Sequence, residues 1–316
     1  MAKRFALLEE ADDFLMKNER EKSSLLDGGI GGGILSMGPV YLLEAQKLLE
    51  QAGGISCPDP RVRFRLGYVL RKLGQEAPRL DVPRLEKAIS VLRTVANSDA
   101  PPSLLMLSWN ELAIAYAVLG RRDEEIHAYT TALSLEPIGR HRAVLLSNRA
   151  ESQMAAGNLE EAIRGYRAAL RSLLPFEMFD SGVTTLWGLA VALDRDGDLD
   201  AGLAHIGLAR AYDSEDQRIQ SSSWFFSPPY DDAWYYALGF WSAARSTDQA
   251  AIRAAAYDRA VEQWQSFIKR APKDDRYLAL ARVRLAACEK ERHVALERAH
   301  ALGPPKEQET PFTPFY

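Results

Sequence analysis

Between positions 105 and 137 the apolar residues return every three or four places, the spacing that stacks side chains along one face of a helix. Trp109, Leu112, Ala113 and Tyr116 form the first such face. Gly120 then offers the left-handed backbone that closes a helix, and acids around Asp123 stand ready to cap the next one. Ile126, Tyr129, Ala132 and Leu133 repeat the spacing before Pro137 ends it, with small Ala132 allowing close approach of the two helices. The stretch therefore predicts an amphipathic helix hairpin. One hairpin buries too little apolar surface to fold alone, so the pattern has to recur.

It recurs on both sides. With Gly157 placed in the slot of Gly120, Leu146, Ala150, Tyr166 and Ala169 take the positions of Trp109, Ala113, Tyr129 and Ala132. With Gly197 in that slot, Leu186, Leu189, Ala190 and Leu193 make a first helix, and Ile206 and Ala209 a looser second one. Upstream, Leu66, Gly67, Leu70 and Gly74 fit a first helix, and Ala88, Leu92 and Val95 a second, once QEAPRLDVP is read as an insertion. Downstream, Leu238 and Gly239 restart the pattern and Ala260, Trp264, Phe267 and Pro272 finish it. About five repeats result, the outer two degraded. Residues 3–26 predict a polar helix with Phe5, Leu8, Ala11 and Leu15 on one stripe. A helix over Val40–Ala52 resembles the second half of a repeat, and Asp275–Ala301 a terminal capping helix.

Trp109, Leu112, Tyr116, Gly120, Tyr129, Ala132 and Pro137 keep the order of the tetratricopeptide signature W-x2-L-G-x2-Y…A-x3-F…P, and the chain resembles that family. The steps between turn glycines are uneven and exceed the regular repeat of about 34 residues, the excess lying in linkers such as LLPFEMFDSG. The resemblance implies an all-α fold, a right-handed α-solenoid of about five hairpins with helical caps. It divides the chain into 1–34, a polar helix with a glycine-rich hinge, 35–301, the solenoid with its C-terminal cap, and 302–316, a proline-rich tail.

In that family the first helices line a concave groove, whose fifth and ninth repeat positions commonly touch a bound segment. Those slots hold Phe64 and Tyr68, Asn110 and Ile114, Ser147 and Glu151, Trp187 and Val191, then Tyr236 and Phe240. Asn148 sits one place on from Ser147, where family members often hold peptide backbone with an amide. The heat-shock-chaperone adaptors carry lysine and arginine in such slots; this chain has neither there, which argues against a clamp for a terminal carboxylate. The groove reads as aromatic at both ends and polar between, suiting a protein or peptide segment with apolar anchors. Trp224, Phe225 and Phe226, ahead of Pro228 and Pro229, form a second contact candidate: an apolar cluster costly to leave in water, expected to plug two repeats together or to meet another protein.

Composition narrows the choices. The 316 residues carry a formal charge of −4, which gives no general attraction to nucleic acid or anionic lipid. The basic run Arg61, Arg63, Arg65, Arg71 and Lys72 reads first as a solvated face; a patch for an acidic partner on Arg61, Arg65, Arg71 and Lys72 is the alternative. No run approaches the ~20 apolar residues of a membrane span. Cys57 and Cys288 lie far apart along the chain and predict unpaired thiols in a reducing compartment. The expected location is cytoplasmic, or periplasmic if a signal peptide has been removed.

Candidate chemistry is sparse. Asp194, Asp196, Asp198 and Asp200 alternate like the opening of a calcium loop, but Leu199 stands where glycine is needed and His205 where the bidentate glutamate belongs. A capped turn around Gly197 fits better, and no metal or cofactor is expected. Gly28, Gly29, Gly31, Gly32 and Gly33 lack the G-K-[ST] ending of a phosphate loop and read as a hinge. His127, His141, His205, His293 and His300 show neither HExxH nor cysteine pairing, and no G-x-S-x-G occurs. The function expected is a non-catalytic interaction scaffold, with homo-oligomerisation open to it. The alternative is an enzyme or small-molecule-binding regulator with a site between the degraded outer repeats.

Overall fold

A computed structural model describes residues 2–26, 38–77, 79–136, 138, 141–221, 226 and 228–302. The described residues are all-helical, without strands. They divide into two compact units, Met1–Leu174 and Pro175–Tyr316.

Among the described residues the first unit holds eight α-helices: α1 (Ala2–Leu26), α2 (Gly38–Gln51), α3 (Pro60–Glu76), α4 (Val82–Ala96), α5 (Pro102–Val118), α6 (Arg122–Leu135), α7 (Arg142–Ala156) and α8 (Leu159–Ser172). They pack as four hairpins, α1 with α2 through α7 with α8, and each hairpin packs on the next. Two core clusters result, both drawing on α3 and α4. Leu8, Ala11 and Leu15 of α1 bury against Leu42, Ala45 and Leu49 of α2 and Leu66 and Val69 of α3. Leu92, Leu112, Tyr116, Tyr129 and Leu146 continue the interior through α4 to α7. Thus α1, read from its polarity as an end piece, supplies the first half of a hairpin whose second half is α2.

The turns follow from local chemistry. At Gly120, Gly157 and Gly197 φ is +70°, +86° and +106°, a conformation that a side chain disfavours. The same two bonds recur at each: Gly120 N donates to Ala117 O at 3.0 Å and Arg121 N to Tyr116 O at 2.9 Å, with equivalents at Asn158 N to Gln153 O (2.8 Å) and Asp198 N to Leu193 O (2.9 Å). A Cβ added at Gly120 would meet no atom within 4 Å, so its cost is the backbone alone. Gly120→Ala should lower urea-unfolding stability by about 1–2 kcal/mol, and Gly120→Asn by clearly less; equal losses would mean the turn is not limited by its left-handed residue. Gly74 departs from the expectation. Placed in the same slot by spacing, it lies inside α3, and an added Cβ would stand 2.9 Å from Leu85 Cγ. It serves close helix packing, because α3 runs on to Glu76 and Asp81 caps α4 by accepting from Arg84 N at 3.0 Å.

The second unit holds α9 (Ser181–Arg195), α10 (Leu199–Tyr212), the short α11 (Gln217–Ser221), α12 (Asp232–Ser246), α13 (Ala250–Arg270) and α14 (Leu278–Leu302). α9 pairs with α10, α12 with α13, and α14 packs on α13. Its interior is aromatic. Trp187, Trp234, Trp241, Trp264 and Phe267 are buried, with Trp234 edge-on to Trp264 at 4.9 Å and to Phe267 at 5.0 Å.

Two ionic networks bind this interior together. Asp194, fully buried, accepts from Trp234 Nε1 at 2.9 Å and from Arg284 Nε at 2.7 Å. Beside it, the buried Arg195 donates to Asp231 at 2.9 Å and stacks over Trp234 and Tyr277. In the other network Glu291 accepts from Arg245 Nη2 at 2.6 Å, Tyr257 Oη at 2.7 Å and Trp241 Nε1 at 3.0 Å. Burial pushes the Glu291 carboxyl up, but these bonds outweigh it and hold it below the usual glutamate range. A depressed value means stability present above the ordinary 4.5 and lost as pH falls through the folded value. Urea midpoints should therefore fall as pH drops below about 4.5, and Glu291→Gln should flatten that fall; an unchanged slope would rule the network out as its source.

Candidate functional site

A cleft of about 600 Å3 opens in the first unit between α1 and the starts of α3 and α5. Leu8, Pro60, Phe64, Leu104 and Leu107 give it an apolar lining, and Asp12, Asp59, Arg61 and Arg65 a charged one. Local chemistry places each wall. Asp59 caps α3 by accepting from Arg61 N at 2.9 Å, with Pro60 in the first turn, and Pro102 opens α5. Phe64 points inward and is buried; Leu104 and Leu107 are half-buried.

The charges in the cleft are paired. Arg61 meets Asp59 at 2.7 Å and lies over the Phe5 ring at 4.8 Å, while Arg65 meets Asp12 of α1 at 2.7 Å. The Arg61 side-chain bond, opposed by burial, holds the Asp59 carboxyl below its ordinary value. Further along α3, Lys72 meets Glu19 at 3.3 Å, Tyr68 donates to Glu19 at 3.0 Å, and buried Arg71 meets Glu111 of α5 at 2.7 Å. Burial first, and Glu19 next, push the Tyr68 hydroxyl well above the phenol range. The four cations of the suspected acidic-partner patch thus each have an acid of this chain beside them. Asp59 is local to α3 as its cap, but Asp12 and Glu19 come from α1 and Glu111 from α5, which no local reading of α3 contains.

The remaining groove residues are distributed as follows. Asn110, Ile114, Asn148 and Glu151 are half-buried and Ser147 is buried; none of the five lines the cleft. The Asn148 side chain bonds the buried Tyr129 hydroxyl, and Glu151 accepts from Tyr166. In the second unit Trp187 and Val191 are buried, at 1% and 0% exposure, so neither offers a side chain to a ligand. Trp187 packs against Gly239 of α12, whose missing side chain lets the ring come within 2.9 Å of where a Cβ would stand. Tyr236 and Phe240 are half-exposed on α12, Phe240 beneath the Arg259 guanidinium at 5.4 Å. Phe226 is buried against Tyr235 and Tyr236, ring centroids 5.2 and 5.9 Å away, while Trp224 and Phe225 lie outside the described residues.

Leu104, Leu107 and the α1 wall were not anticipated from the sequence. The signal available for the leucines is the run LLMLSW, more apolar than one buried helix face requires. Three aspartates of the string have partners within the second unit: Asp194 in the buried network, Asp198 as the α10 cap accepting from Ala201 N at 3.0 Å, and Asp200 with Arg245 at 2.7 Å. His127 packs edge-on to Trp109, and His205 Nδ1 bonds the Ala201 carbonyl at 2.8 Å. The glycine run from Gly28 to Gly33 and the tail from 303 lie outside the described residues. Cys57 and Cys288 are buried free thiols, and burial pushes Cys288 up to about 12. No described helix is long and apolar enough to cross a membrane. No protein-family model matches the chain, and no curated protein matches its sequence.

Proposed function

We propose that this chain is a non-catalytic interaction scaffold of tetratricopeptide type that holds a segment of another protein on its first-helix faces. The observation carrying this reading is the cleft of about 600 Å3 between α1, α3 and α5, apolar in its depth and charged at its rim. A buried apolar anchor ringed by charge is how peptide grooves gain affinity and register. Phe64, Leu104 and Leu107 provide the anchor pocket, and the Asp12–Arg65 and Asp59–Arg61 pairs orient the flanking backbone. Tyr236 and Phe240 offer a similar aromatic contact on the first helix of a hairpin in the second unit. The cleft volume also lies in the range of small-molecule sites, which is the competing reading.

Selection of a displayed random-peptide library on the full chain separates the two. Recovered peptides should share an apolar anchor, and Leu107→Asp should weaken them at least about tenfold, the cost of spoiling an anchor pocket. Recovery of no peptide, or of peptides that bind Leu107→Asp as well as the parent, would remove the scaffold reading.

A further inference from the structure

A second cleft, of about 370 Å3, opens between the first turns of α13 and the middle and later turns of α14, wholly within the second unit. Lys290, Glu291, Val294 and Arg298 of α14 face it at helical spacing, opposite Arg253 and Tyr257 of α13. The cationic residues outnumber the acid by three to one in a chain of net charge −4.

The one acid does not cancel them. Both Glu291 oxygens already accept bonds, two of them from Arg245, whose guanidinium lies outside the cleft lining and balances the carboxylate charge. Arg253 is held in place by its own contact, Nε donating to the Thr247 carbonyl at 2.9 Å. Its nearest carboxylate, Asp248 at 3.6 Å, is fully exposed and correspondingly weak. Lys290 and Arg298 meet no carboxylate in ion-pair range among the described residues. The cleft thus has a fixed guanidinium on the α13 wall, and on the α14 wall two exposed cations with no ion-paired carboxylate among the described residues, alongside apolar Ala287, Val294 and Ala295.

From this geometry we propose that the α13–α14 cleft is a binding site for a small organic polyanion, a phosphorylated or polycarboxylate molecule. Guanidinium and ammonium groups converging from two helices recognise such a ligand through charge-assisted hydrogen bonds. The volume exceeds what a bare phosphate needs, and the alanine and valine strip takes the carbon skeleton. The site is separate from the peptide cleft and does not depend on it.

The test is calorimetric titration of the full chain at low salt with pyrophosphate and with citrate. At least one should bind saturably, and Lys290→Gln/Arg298→Gln should weaken that binding tenfold or more, with Arg164→Gln, a cation of α8 in the first unit, leaving it unchanged. Tighter pyrophosphate binding assigns a phosphorylated ligand, tighter citrate binding a polycarboxylate; equal binding leaves the polyanion assignment standing on charge alone. No saturable heat with either anion, undiminished binding by the double variant, or equal loss in Arg164→Gln would overturn the site.

Discussion

Asp194→Ala should destabilise the second unit by about 3–5 kcal/mol, the usual result of removing one partner of a buried ion pair. Two donors lose their side-chain acceptor at once: Nε of the partly buried Arg284, 2.7 Å from the carboxylate, and the indole N–H of the buried Trp234 at 2.9 Å. Burial pushes the Asp194 carboxyl up, against the pull of Arg284 and Trp234, so the ionised pair already carries a desolvation cost. For that reason Asp194→Leu/Arg284→Met should recover most of the loss, since apolar residues of similar volume carry no such cost. Tryptophan fluorescence during urea unfolding reports this directly, because Trp187, Trp234, Trp241 and Trp264 all lie in this interior. A single variant within 1 kcal/mol of the parent, on the order of ordinary surface substitutions, would show that the network carries little of the unit's stability.

Tyr236→Ala/Phe240→Ala should weaken a peptide selected on the full chain by about 2 kcal/mol, close to 30-fold, while far-ultraviolet circular dichroism stays near the parent's. The two side chains sit one helical turn apart and half-exposed on α12, where truncation removes contact area without opening the core. Phe226 rests on Tyr236, so a modest fall in melting temperature is expected as well. Unchanged affinity, beside a loss from Leu107→Asp, would confine binding to the first unit.

How far the residues alone announced this molecule depends on how local each cause is. The turns at Gly120, Gly157 and Gly197 are settled within six residues, and the sequence reading placed all three. Gly74 matched the spacing yet serves packing, because its role is decided by Leu85, beyond an insertion. The groove slots show the same limit. Trp187 became interior through Gly239, a contact that no helix period encodes, while Tyr236 and Phe240 kept part of their surface. The basic run on α3 read as a solvated face with a docking patch as the alternative, and its pairing with Asp12, Glu19 and Glu111 was out of reach because those acids come from two other helices. The apolar cleft was half visible: Phe64, Arg61 and Arg65 were singled out, but the α1 wall depended on a pairing with α2 across the glycine run.

The Asp194–Arg284 bond also sets a clock on biosynthesis. Its partners are 90 residues apart, and at about 5–20 residues per second the ribosome needs roughly 5 to 20 seconds to supply the second after the first. The first unit, whose helices pack on their immediate successors, gains its contacts as each hairpin emerges. During the later interval the nascent second unit carries an aspartate without its arginine and an unfinished tryptophan interior, the stretch of synthesis in which a holding chaperone has most to bind.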